Sequence, residues 1–289
     1  MAAVKVTGED TLSYLQGQFS QELREGKAAE ASYGFWLNRK GKVEGDAVVV
    51  RLCGELCYLF SWSLRAEVLI KRLEAFIIAD DVELENQTAD WKGWQVVGKG
   101  VAQWREEAVA ARRAAGELEF GWKDPMPWGA ESGCLVGRVI PDWPEGWMEG
   151  AMDEFERARL AAAVPRVPID LGEGDLPQEA GMQDVGVCFT KGCYLGQEVM
   201  ARLRSLGRVR RRLLLVGGEG AAPEPEMVVL RQAEKKVGEL RSRISTDDGH
   251  WFGLAMISMG SWDPDKTVYG NESGAREIWV KTDDERREL

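Results

Sequence analysis

The hydrophobic period of the chain changes at Arg208, and that change constrains the fold more than any other feature. From there to Thr282 every apolar run is short and strand-like: RRRLLLVGG, EMVVLRQ, KKVGELRSRIS, WFGLAMIS and REIWVKT. Five such runs broken by turn residues predict a small antiparallel barrel or sandwich. Ahead of Arg208 the two periods alternate. Leu12, Leu15, Phe19 and Leu23 recur at helical spacing over residues 8–25, whereas SYGFWLN, GDAVVVRL and LCYLFSW read as a strand meander over 31–60. Val68, Leu69, Leu73 and Phe76 then share one helical face, and IIADDVELEN and WKGWQVVG read as two more strands. Further helices are expected near 105–119 and over Met152 to Ala163, where Pro165 stops the second. The expectation is an α+β region over residues 1–205 and a barrel over 206–289. A long ordered loop at 165–190 and a frayed charged tail from Thr282 complete it.

Charge and residue usage narrow the function classes. A formal net charge of −11 argues against nucleic-acid binding through the general surface. His250, in an Asp-Asp-Gly turn, is the one histidine, so mechanisms and metal sites that need several histidines are excluded. Five scattered cysteines, no leader-like start in MAAVKVTGED and no apolar run of about 20 residues fit a cytoplasmic protein with free thiols. Cys53 and Cys57 flank a tight turn and read as packing residues, because no further ligands stand near them.

The candidate chemistry lies at Lys191-Gly192-Cys193-Tyr194-Leu195-Gly196-Gln197-Glu198, followed by Arg202, Arg204, Arg208, Arg210, Arg211 and Arg212. A thiol among cations can become a usable thiolate, which makes Cys193 a candidate functional thiol and Lys191 its helper. Lys191 and Glu198 could equally be a surface ion pair. Arg208, Arg210 and Arg212, alternating with Val209 and Arg211, read as the solvent face of a strand entering LLLV. Arg202 and Arg204 are better placed to meet an anion, with bidentate pairing to carboxylates in view.

The blocks VTGEDTLSYLQGQFSQEL, LNRKGKV and FTKGCYLGQEVMARLR together resemble the YgfZ-type folate-binding proteins, relatives of the glycine-cleavage T-protein in the YgfZ/GcvT superfamily. The resemblance implies a ring of α+β subdomains around a central folate channel, with a C-terminal antiparallel β-barrel. It implies a folate-binding accessory protein for iron–sulfur cluster assembly or repair in client enzymes, tRNA-modifying ones among them. The alternative is a T-protein-like aminomethyltransferase passing a one-carbon unit to tetrahydrofolate. Tetrahydrofolate is the implied cofactor, client enzymes or assembly proteins the implied partners, and a monomer the implied state; no metal site, membrane contact or stable nucleic-acid binding is expected.

The resemblance also assigns residues. Asp46, in Gly41-Lys42-Val43-Glu44-Gly45-Asp46, is the one acid left of a T-protein aspartate pair, which fits loss of transferase activity. Ser20-Gln21-Glu22-Leu23 stands where the family has Thr-x-Asp-Val. Glu179, in Pro177-Gln178-Glu179, is the implied pterin partner, since pterin nitrogens suit a carboxylate. Gln197, Glu198, Arg202 and Arg204 complete the expected folate contacts, with the two arginines on its glutamate tail.

Overall fold

A computed structural model describes residues 1–26, 28–126, 128, 130–224, 229–270 and 277–282. It divides into two compact units, Met1–Met148 with Gln183–Ala201 and Glu149–Met182 with Arg202–Leu289.

The first unit begins with a strand the helical reading did not foresee, β1 (Ala2–Thr7), and α1 is confined to Thr11–Gln18. The apolar spacing outlasts the helix because Phe19 is already extended and Leu23 reaches the same core from a loop. The expected meander follows as β2 (Glu30–Leu37), β3 (Val43–Arg51) and β4 (Leu56–Ser61), then α2 (Ala66–Glu74) and β5 (Glu83–Asn86). These strands form an antiparallel sheet in the order β2-β3-β4-β1-β5. Both faces are covered, as the period of two along β1 shows. Val4 and Val6 join Leu15, Phe19 and Leu69 on one side, while Ala3 joins an aromatic core on the other.

That aromatic core is shared with a second sheet, β6 (Lys92–Val97), β7 (Glu119–Lys123) and β8 (Ser132–Gly137), in the order β6-β8-β7. Tyr58, Phe60, Trp91, Phe120 and Trp122 fill it, with ring centroids 5.0–6.3 Å apart in tilted and offset geometries. Between β6 and β7, α3 spans Val101–Ala114 and ends before the predicted 119. Gly116, at φ +78°, accompanies its end, and Glu119 already belongs to β7. α3 lies so close to the sheet that a Cβ on Gly121 would meet Arg105 Cγ at 2.8 Å.

In the second unit, α4 (Met152–Ala161) matches the expected helix. The stretch 165–190, expected as loop, contains a 3-10 turn at Pro177–Ala180 and, in the first unit, the short α5 (Gln183–Gly186). α6 (Gln197–Leu206) runs across the division between the units. β9 (Arg211–Glu219), β10 (Val229–Gln232), β11 (Lys235–Ser245), β12 (His250–Ser258), β13 (Val268–Tyr269) and β14 (Glu277–Lys281) close into a barrel. Its order is β10-β11-β12-β9-β14-β13, antiparallel throughout. Leu214, Val216, Leu230, Val237 and Ile257 fill its interior, while Leu160 of α4 packs on the outward Leu213, Leu215 and Leu254. The buried Arg159 guanidinium binds Asp170 and Glu156, each at 2.6 Å, tying α4 to the loop that follows it. The tail expected beyond Thr282 lies outside the described residues. Among those described, no helix is long and apolar enough to cross a membrane.

One buried acid gives the first unit a pH signature. Glu119 is 2% exposed and its Oε1 has no hydrogen-bond partner. Burial pushes its carboxyl up to about 7, against the pull of Arg112. The folded state therefore holds a proton that the unfolded chain has released, and this contribution to stability fades as pH rises from about 4.5 through about 7. Glu119→Gln should lose that dependence, so its thermal midpoint relative to wild type should climb across this window. A constant difference between pH 4 and 8 would contradict the assignment.

Candidate functional site

The thiol-bearing block folds into a loop held by its own lysine. Lys191 is 6% exposed, and its Nζ donates to the carbonyl oxygens of Gln16 (2.9 Å), Phe19 (2.8 Å) and Gln21 (2.8 Å). An ammonium has three N–H donors, and all three are spent here. These carbonyls come from the end of α1 and the turn after it, where a helix leaves acceptors unmatched and favours a cation. The charge also sits 5.1 Å from the Tyr194 ring centroid. Burial draws the Lys191 ammonium down to about 8, with Glu22 opposing. Glu22 in turn is held below the usual carboxylate range: burial works against this, but Arg24 N–H, Gln16 and the Lys191 charge prevail. With its three donors spent on these carbonyls, Lys191 makes no hydrogen bond to Cys193.

Backbone bonds fix the rest of the loop. Cys188 N–H donates to Ser20 O (2.9 Å), Leu195 N–H to Gly17 O (3.1 Å) and Ser20 Oγ to Gly186 O (2.6 Å). Gly196, at φ +87°, presses on the 38–42 turn, where a Cβ would lie 2.7 Å from Asn38 O. Gly41, at φ +69°, returns the contact against Val199 and Met200. The blocks LNRKGKV and KGCYLGQE, separate in sequence, are thus one packed assembly. Cys193 is exposed, and among the described residues no hydrogen bond reaches its Sγ. Gln197 opens α6 with its Nε2 on Lys191 O (3.4 Å), and Glu198 beside it is exposed.

Asp46 belongs to a different constellation in the same unit. Its Oδ2 accepts the Tyr33 hydroxyl at 2.9 Å, its N–H donates to Ser63 Oγ (3.0 Å), and its carbonyl accepts Ser61 Oγ (2.7 Å). Burial raises the Asp46 carboxyl, opposed by Ser63 and Tyr33. The Tyr33 phenol is driven well above its usual range by burial and by the charges of Asp46 and Asp124. Tyr33 lines a cavity of about 390 Å³, together with Gln21, Glu22, Trp122, Lys123 and Val185. Sequence reasoning missed Tyr33. Its signal was the strand register, which pairs Phe35 with Asp46 and so sets Tyr33 on the same sheet face two residues along.

Glu179, Arg202 and Arg204 lie in the second unit. Glu179 is corrected to a structural role there. It is 4% exposed, its Oε1 and Oε2 take Arg211 at 2.9 and 2.7 Å, and Oε2 also accepts Leu176 N–H at 2.8 Å. The same arginine reaches Asp175 at 3.0 Å, so this acid caps the 177–180 turn and anchors it to β9. Arg202 and Arg204 are exposed on α6.

With this geometry in place, comparison is informative. The chain matches the GCVT N-terminal domain over residues 1–139 and the CAF17 C-terminal β-barrel domain over residues 210–279. It is 29% identical over 279 residues to the mitochondrial iron–sulfur cluster assembly factor IBA57 of Mus musculus, covering 89% of this chain and 75% of that protein. It is 25% identical over 282 residues to the tRNA-modifying protein YgfZ of Vibrio vulnificus (strain YJ016), covering 89% and 82% respectively. The crystal structure of glycine cleavage system aminomethyltransferase T from Bartonella henselae matches with a TM-score of 0.73 over 97% of this chain and 82% of that one. At 13% identity that likeness shows the fold alone.

The two motif glycines should differ in cost when replaced by alanine. Gly196→Ala combines strained φ with a backbone oxygen that cannot yield, and should cost about 1–3 kcal/mol in urea unfolding. Gly41→Ala meets the flexible end of Met200 at 2.7 Å and should cost less. The reverse order would show that the loop does not rest on the turn through Gly196.

Proposed function

We propose, from the chain's membership of the superfamily shared by the glycine-cleavage T-protein and the YgfZ-type proteins, that it is a folate-binding accessory factor for iron–sulfur cluster assembly or repair in client enzymes. The carrying observation is the Lys191-anchored loop that holds Cys193 at the surface, in a chain whose relatives are named as a cluster assembly factor and a tRNA-modifying protein. Those names favour an accessory role over aminomethyl transfer, as does the single acid at Asp46. Among the described residues no three His, Cys, Asp or Glu side chains group as metal ligands. In this reading a cluster is cargo, met by the Cys193 thiol together with groups of a client. Some relatives are named as mitochondrial, so the expected cytoplasmic location broadens to a reducing compartment that keeps the five thiols free.

The cavity beside Tyr33 suits the folate part of the reading. A pterin is flat and rich in N–H donors, which match carboxylate acceptors and an indole face. Glu22 and Tyr33 offer the polar partners, Trp122 the flat wall and Lys123 a cation. Asp46 orients the Tyr33 hydroxyl from behind. Tetrahydrofolate, when bound, supplies a reduced one-carbon carrier.

Two measurements check the proposal. Calorimetric titration with tetrahydrofolate should show binding that weakens about tenfold or more in Asp46→Asn, on the scale of one lost charge-assisted hydrogen bond; no heat from wild type at millimolar ligand would remove folate from the account. In a strain lacking the gene, wild type should restore iron–sulfur tRNA-modifying activity and Cys193→Ala should not. Full rescue by Cys193→Ala would remove the thiol.

A further inference from the structure

A buried carboxyl stands between lining residues of the cavity beside Tyr33. Trp122, Lys123 and Pro125 line it, and Asp124, between them, turns its side chain inward and is 6% exposed. Asp124 Oδ2 accepts both the Gln95 Nε2–H and the Trp128 Nε1–H, and Oδ1 accepts Met126 N–H at 2.9 Å. Gln95 Oε1 in turn accepts the buried Cys134 thiol. Sheet register explains the meeting: Cys134 on β8 pairs with Gln95 on β6 and with Trp122 on β7, so all three side chains share the face toward the aromatic core. The wall therefore hangs from a polar chain, Cys134 to Gln95 to Asp124, that ends among its own residues. Nothing in the tetrahydrofolate reading or in the sequence motifs uses this chain.

We infer that Asp124 is a positioning residue of this cavity, fixing the Trp122–Pro125 wall and acting on the bound ligand through Tyr33. Three donors from its own neighbourhood, Gln95, Trp128 and Met126, already hold the Asp124 carboxylate in place. Its effect on Tyr33 is electrostatic: the charges raising the Tyr33 phenol are Asp46, from β3, and Asp124, from the end of β7. Glu22, Glu25, Glu30 and Lys123 are the other charged groups lining the cavity. Asp46 on β3 and Asp124, the residue after β7, are thus the two acids acting on the Tyr33 phenol. A ligand offering hydrogen-bond donors, such as the amino and ring N–H groups of a pterin, is the chemistry this arrangement selects.

The test uses the full chain with 3-fluorotyrosine at Tyr33, whose lowered intrinsic pKa brings the titration into range, read by fluorine NMR. Asp124→Asn should lower the Tyr33 midpoint and Asp124→Glu should restore it, because removing a neighbouring negative charge favours the phenolate. Gln95→Leu, which frees Asp124 without removing its charge, serves as the second variant and should broaden or shift the same signal. Tetrahydrofolate titrated into Asp124→Asn should bind about tenfold more weakly, the scale of one charge-assisted hydrogen bond. The affinity arm rests on the folate reading, whereas the Tyr33 arm does not. If wild type fails to bind tetrahydrofolate, that reading falls and the Tyr33 midpoint still decides the inference. An unmoved midpoint in Asp124→Asn and Gln95→Leu, with only a lower unfolding temperature, overturns it.

Discussion

The first unit depends on one buried ammonium. Lys191 lies about 170 residues downstream of the carbonyls it binds, and its three bonds bring residues 183–201 into a unit otherwise built from the first half of the chain. Burying a charge is costly unless hydrogen bonds answer it fully. Here the cost is answered by the acceptors that α1 leaves unmatched at its end, together with the Tyr194 ring. Each side completes the other's hydrogen bonding, so neither the loop nor the turn after α1 is satisfied alone. Gly196 and Gly41 then let the loop lie flat on the 38–42 turn.

This arrangement divides labour within the motif. Lys191 supplies the anchor, the glycines supply the close fit, and Cys193 is left at the surface of a rigid mount. A thiol meant to meet a partner gains from such a mount, because little ordering entropy is then lost on contact. The cavity beside Tyr33 is built separately, from the facing sides of two sheets, and its polar groups are held by bonds to neighbours. That is the preorganisation a binding site needs.

Much of this was legible in the sequence where period and chemistry agree. Five of the six barrel strands, the 31–60 meander and α4 announce themselves through alternation or helical spacing, whereas the two-residue β13 is too short to do so. β1 and β8 did not, because Ala2–Thr7 and Ser132–Gly137 are short and, being buried in the sheets, carry little polar contrast. The motif around Cys193 is legible as a block, but the partners of its lysine are not, because Gln16, Phe19 and Gln21 lie about 170 residues away. Glu179 was misjudged for a like reason: its partner Arg211 is 32 residues away and invisible to local reading. Tyr33 lies on β2 of the first sheet and Asp124 follows β7 of the second, so only the packing of those sheets brings them near one cavity.

The anchoring role of Lys191 is tested most directly by amide hydrogen exchange on wild type and Lys191→Met. The account predicts that Cys188 and Leu195, whose amides bond to Ser20 and Gly17, lose protection together, while Val49 and Leu59 in the β3–β4 ladder keep theirs. Unchanged protection at Cys188 and Leu195 would contradict it.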